Sequence, residues 1–211
     1  MYTLYGSKGS GSAAVEVALE MCALPHRIVR APTWEDDSAR DELRSVNPMQ
    51  QIPTLLLPDG TVMSESVAIL MHLGIDVAAP GKLLPTDPSN RAQAIRGLVF
   101  IAANCYSAIS VMDYPQRWTT EDDKESLEAI QLGTRRLLHH HWEIFADTFA
   151  KESFMNGDAP GALDILAAVV SKWGGSRAHL QEHRPAFFAL LQRIGQHETV
   201  APVFMRHWSA A

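Results

Sequence analysis

Ten residues in the first half of the chain limit what it can fold into. Ala79 to Pro88 reads Ala-Pro-Gly-Lys-Leu-Leu-Pro-Thr-Asp-Pro, and three prolines with a glycine prevent regular structure there. The signals on either side differ in kind. Before the break, strand and helix patterns alternate. Tyr2–Tyr5 is apolar and β-prone, Ser12–Ala23 carries Ala14, Val15, Ala18, Leu19 and Cys22 at helical spacing, and His26–Arg30 is β-prone again. Asp37–Val46 reads as a polar helix that stops before Asn47-Pro48, since a residue preceding proline avoids the helical region. Thr54–Leu57 and Thr61–Met63 flank Pro58-Asp59-Gly60, a hairpin signal in which proline presets one turn dihedral and glycine accepts a positive φ. Glu65–Val77 is helical, so the predicted order is βαβαββα.

After Pro88 the strand pattern stops. Ser89–Tyr114, Glu121–Ala150, 161–173 and Pro185–His197 read as helices, with a short helical tail beyond them; the third has an unbroken apolar face and is expected to be buried. The expected architecture is an α/β domain over residues 1–78, a linker over 79–87 and an all-α domain over 88–211.

Composition narrows the function. With 46% hydrophobic and 20% charged residues, 211 residues can bury a real core. A net charge of −6 without a basic stripe argues against nucleic-acid partners, whose binding depends on neutralising phosphates. No apolar run reads as long enough to span a bilayer, and no basic-then-apolar leader opens the chain, so no membrane partner is expected. Cys22 and Cys105, far apart, fit a reducing cytoplasm.

The loop Gly6-Ser7-Lys8-Gly9-Ser10-Gly11-Ser12, between a strand and a helix, invites a phosphate-binding reading. A P-loop needs lysine where Ser12 stands, so that reading fails. Gly9 to Ala14 matches the dinucleotide pattern G-x-G-x-x-A, but the next strand, His26–Arg30, ends in a basic residue and further parallel units do not follow. A flexible turn with Ser12 as helix N-cap is the plain alternative.

A second motif decides between them. Asn47-Pro48-Met49-Gln50-Gln51-Ile52-Pro53-Thr54-Leu55, then the hairpin, then Ser64-Glu65-Ser66 opening a helix, resembles the glutathione transferase superfamily, whose N-terminal domain is thioredoxin-like. Gly157 to Asp164 resembles that family's signature before the buried helix of its C-terminal domain. Phe100 to Tyr106 and Tyr114 to Trp118 are similar to the corresponding helix of bacterial, cytosolic members. The resemblance implies a glutathione transferase with glutathione as cosubstrate, no metal, a small hydrophobic electrophile as second substrate, and a homodimer in the cytoplasm.

The resemblance also implies roles. Gln51, Ile52 and Pro53 would hold the cysteinyl part of glutathione through the Ile52 backbone, Glu65 its γ-glutamyl ammonium, and Ser66 with the helix start its carboxylate. The loop would hold the thiol. Where beta-class relatives have cysteine this chain has Gly11, so the activating hydroxyl is expected from Ser10 first, Ser12 second or Tyr5 third. Asn104, Tyr106, Tyr114 and Trp118 would line the electrophile pocket or simply pack the core. The alternative is a non-catalytic glutathione-binding or structural protein of the same fold.

Other residues read as structural. Cys22 is expected in the core. Asp164, at the third position of its helix, would accept backbone hydrogen bonds behind Gly161. His139-His140-His141 cannot converge on one ion, because successive helical residues point about 100° apart. Together with His179 and His183, they are expected on solvated faces.

Overall fold

Strand β1 (Tyr2–Gly6) is buried along its whole length, which requires cover on both faces of its sheet. The cover follows from the alternation of its side chains. Leu4 joins Leu55 and the apolar side of helix α1 (Ser12–Met21) in the main core, whereas Tyr5 turns to the other face and packs with Ala31 and Leu43. The computed structural model describes residues 1–121, 123–151 and 153–209.

The sheet runs in the order β2-β1-β3-β4. β2 (His26–Arg30) lies parallel to β1, which needs the α1 crossover; β3 (Thr54–Leu56) and β4 (Val62–Ser64) are antiparallel, joined by the expected Pro58-Asp59-Gly60 turn. Helix α2 (Arg40–Val46) supplies Leu43 to the second face, and helix α3 (Ser66–His72) supplies Ile69 and Leu70 to the first. A π-helical turn, Leu73–Val77, extends α3. This is the thioredoxin-like α/β arrangement, and the rest of the described chain is helical apart from one isolated bridge, Phe154 to Gly157.

The long helix expected over Ser89–Tyr114 is interrupted. Helix α4 (Pro88–Phe100) passes into a π-helical stretch, Ile101–Tyr106, and continues as α5 (Ser107–Asp113). Contrary to the sequence reading, Pro88–Asp113 is long and apolar enough to cross a membrane by length and composition. Packing accounts for part of that apolarity. Gly97 lies against Leu163, and Phe100 meets Phe145 and Phe149 at 6.0 Å between ring centres.

Helix α6 (Lys124–Phe149) starts at Asp123, whose side chain accepts from the Ser126 N–H. Helix α7 (Ala162–Val170) is buried at every position, as its apolar run predicts. Helices α8 (Ser176–His183), α9 (Pro185–Gln196) and α10 (Ala201–Trp208) complete the described chain. The proline-rich stretch is irregular but well anchored: Leu83 and Leu84 are buried in the main core, and the Leu83 carbonyl accepts from the Ala162 N–H at 2.8 Å.

Two further expectations change. Gly11, not Ser12, is the N-cap of α1; the Ser12 side chain turns back to Ser7. The histidines are not all solvated. His139 meets the Gly174 carbonyl at 2.9 Å and stacks on His179, which pairs with Glu143 at 2.7 Å; His141 contacts the Asn104 carbonyl; and only His140 and His183 are largely exposed.

Candidate active site

A cleft of about 910 Å³ opens between the loops at one end of the sheet and the α4–α5 segment. That is at the upper end of the range for small-molecule sites. Its sheet-side wall is the stretch from Met49 to Pro53, with Glu65 and Ser66 beside it and Arg40 and Arg44 of α2 beyond. Residues 47–54 are shaped by buried hydrogen bonds. The Asn47 side chain donates to Thr54 Oγ1 at 2.9 Å, and Thr54 donates to the Gln51 carbonyl at 2.7 Å. The Ile52–Pro53 bond is cis. Among the described residues nothing pairs with the backbone N–H or carbonyl of Ile52, which stands in the cleft wall. Such an unpaired strand-like segment can accept a short peptide by strand addition.

Backbone strain collects at the same place. Of the three non-glycine residues with positive φ among the described residues, Gln50 (53°) and Glu65 (65°) line the cleft. Both lie in a region that side chains with a Cβ seldom occupy, and such residues cluster at ligand sites. Glu65 directly precedes α3, so it and the first turn of the helix adjoin at the cleft.

The opposite wall comes from the helical half. Ala102, Tyr106, Ile109, Asp113, Tyr114 and Arg117 face the cleft, with the Arg117 guanidinium 4.0 Å above the Tyr114 ring. Burial, then the negative charges of Asp113 and Glu65, push the Tyr106 hydroxyl up to about 12, so it stays protonated. Burial also raises the Asp113 carboxyl.

The glycine loop closes on itself. Ser10 Oγ donates to the Ser7 carbonyl at 2.8 Å and lies 2.8 Å from Ser12 Oγ. Ser12 Oγ also accepts from the Ser7 N–H. The Tyr5 hydroxyl donates to Glu42 at 2.9 Å on the far face of the sheet, where burial followed by the Glu42 bond raises its pKa. None of these three hydroxyls is among the residues lining the cleft. Strand direction decides Tyr5, and short-range hydrogen bonds decide the serines.

Of the expected residues, the structure brings Gln51, Ile52, Pro53, Glu65, Ser66, Tyr106 and Tyr114 together around one cleft. It leaves Asn104 and Trp118 outside. The Asn104 amide donates to the Phe100 carbonyl, and Trp118 projects into solvent at 62% exposure. Arg40, Arg44, Trp34, Asp113 and Arg117 were not anticipated. Arg40 and Arg44 carry the one usable signal, an i, i+4 pair on one face of α2. Burial raises the thiols of both Cys22 and Cys105, so neither is a ready thiolate.

A family profile described as the glutathione S-transferase N-terminal domain matches residues 12–74. The GST-like protein YncG of Escherichia coli K12 is 26% identical over 209 residues, covering 98% of each chain. The glutathione S-transferase GstA of Escherichia coli O157:H7 is 32% identical over 107 residues, 48% of this chain and 52% of GstA. A glutathione transferase homologue from Sulfitobacter, solved with bound glutathione, superposes with a TM-score of 0.85 at 24% identity and 98% coverage of both chains. Residues 12–74 thus match the glutathione S-transferase N-terminal domain, and over nearly its whole length the chain is similar to glutathione S-transferase-like proteins.

Proposed function

We propose that this protein binds reduced glutathione in the cleft and presents its thiol, as thiolate, to a small electrophile. The observation that carries the reading is the unpaired Ile52 backbone beside Glu65 and Ser66. Glutathione is a tripeptide with a zwitterionic end, and this wall offers complementary groups in the matching order. Ile52 supplies strand-like hydrogen bonds to the cysteinyl unit. Glu65 faces the γ-glutamyl ammonium. Ser66 and the start of α3 take the adjoining carboxylate. Arg40 and Arg44, which also line the cleft, offer cations to the glycyl carboxylate.

The chemistry required is modest. A free thiol has a pKa near 8.5, so little is ionised at neutral pH. Lowering it by about two units needs about 2.7 kcal/mol of preference for the anion. The N-terminus of α1 contributes, since no acidic residue in its first turn opposes it, and a charge-assisted hydrogen bond from a hydroxyl supplies the rest. Ala102, Ile109 and Tyr114 then offer an apolar wall for the electrophile. Both cysteines are free, in keeping with a reducing cytoplasm.

One observation favours a second reading, a glutathione-binding protein without turnover: the hydroxyls of Ser10, Ser12 and Tyr5 are engaged elsewhere. Calorimetric titration with glutathione, paired with the ultraviolet thiolate band of the bound ligand against pH, separates the two. Binding with a midpoint well below that of free glutathione is the expected outcome. Binding with an unshifted midpoint leaves the carrier, and no binding removes both.

A further inference from the structure

We propose that Tyr106, from the helical half of the chain, is the hydrogen-bond donor that stabilises the glutathione thiolate. The assignment rests on the glutathione reading above and starts from Gly11. Gly11 has φ −62°, ordinary helical backbone that any residue adopts, so its conformation does not require glycine. Space requires it. A Cβ built on Gly11 would overlap the Tyr106 hydroxyl oxygen. The phenol therefore reaches across from the second half and fills the place of a side chain at the N-cap of α1, where the helix end favours an anion.

Three further features fit a donor held in readiness. The Tyr106 hydroxyl has no hydrogen-bond partner among the described residues, and its residue lines the cleft. Its ring is held edge-on by Trp173, with 5.8 Å between ring centres. Tyr106 is the last residue of the π-helical stretch Ile101–Tyr106. Such a widened turn holds an extra residue and rotates the next turn by about 100° relative to an uninterrupted α-helix. The interruption thus sets the phase that aims Tyr106 at Gly11.

The step involves no proton transfer from the tyrosine. The thiol loses its proton to solvent, and Tyr106 keeps its own while donating a hydrogen bond to the sulfur anion. The thiolate forms the bond to carbon, and the leaving group departs with the electron pair of the bond that breaks. Because burial and the neighbouring carboxylates keep the phenol protonated, it acts as donor and not as base. The Glu65 charge would oppose the thiolate, but the ligand's own ammonium neutralises it on binding.

The test tracks the thiolate band of glutathione bound to the full-length protein as a function of pH. In Tyr106→Phe, which keeps the ring and its packing, the glutathione Kd is expected within about threefold of the parent. The midpoint should rise by about one unit or more, and kcat/KM at neutral pH should fall about tenfold to a hundredfold. Gly11→Ala, which displaces the phenol and leaves it intact, should raise the midpoint in the same direction. A midpoint unmoved in Tyr106→Phe overturns the assignment, and one moved by Ser10→Ala alone returns the role to the loop. Failure of the parent protein to bind glutathione would instead remove the functional reading itself.

Discussion

Asp113 and Tyr106 share one wall of the cleft, and the Asp113 charge works against an anion held there. Its carboxylate raises the Tyr106 phenol and would act in the same sense on a neighbouring thiol. Asp113→Asn is therefore expected to lower the thiolate midpoint by a few tenths of a unit, opposite in sign to Tyr106→Phe; the same pH titration reads both. The exposed position keeps the effect small, because solvent screens it. Tyr114 and Arg117 set the other end of that wall. The guanidinium over the ring puts a cation on the cleft wall, so Arg117→Ala is expected to raise KM for an anionic electrophile more than for a neutral one. Equal effects on the two would remove Arg117 from substrate recognition.

At the scale of elements, α10 ties down the glycine loop. Glu16 of α1 is 2% exposed and receives Arg206 at 2.7 Å and His207 Nε2 at 2.8 Å. His207 Nδ1 in turn accepts the Gly9 N–H at 3.2 Å, so the ring proton sits on Nε2 and the imidazole links helix to loop. His207→Leu removes both bonds and is expected to speed exchange of the Gly9 amide and to cost about 2 kcal/mol. His207→Asn offers an acceptor near Nδ1 and should retain more of the Gly9 protection. Burial acts to raise the Glu16 carboxyl, but the His207 and Arg206 bonds outweigh it, and the net shift is downward. A depressed carboxylate contributes stability that is present above its unfolded value, near 4.3, and lost as pH falls through the lower folded value. Glu16→Gln should therefore flatten the acid limb of the melting curve below about pH 4.3 and leave the slope near neutrality unchanged.

For the whole molecule, α7 is the pivot on which the two halves meet. Its Asp164 accepts the N–H groups of Met155 (2.8 Å), Asn156 (3.0 Å) and Gly161 (3.1 Å), so one carboxylate orders the turn before a fully buried helix. Asp164→Ala leaves three donors unsatisfied and is expected to cost about 3 kcal/mol, read as a fall in Tm of about 6–12 °C. Much of this plan is legible in the residues. The apolar, β-prone run Tyr2–Tyr5, the Pro58-Asp59-Gly60 turn, the proline-rich break and the unbroken apolar run of α7 are local patterns, and local sterics and burial translate them directly into strands, turn and helices. The cleft-lining stretch from Gln51 to Pro53, with Glu65 and Ser66, is legible through its resemblance to a family motif, whose residues lie close together in the chain. What the tertiary structure alone decided is that the Tyr106 hydroxyl comes up against Gly11 at the start of α1. Tyr106 lies 95 residues beyond Gly11, and its approach depends on a π-helical phase, a ring against Trp173 and the docking of two halves. No periodicity within either segment encodes those, since they arise only when the segments exclude each other's volume.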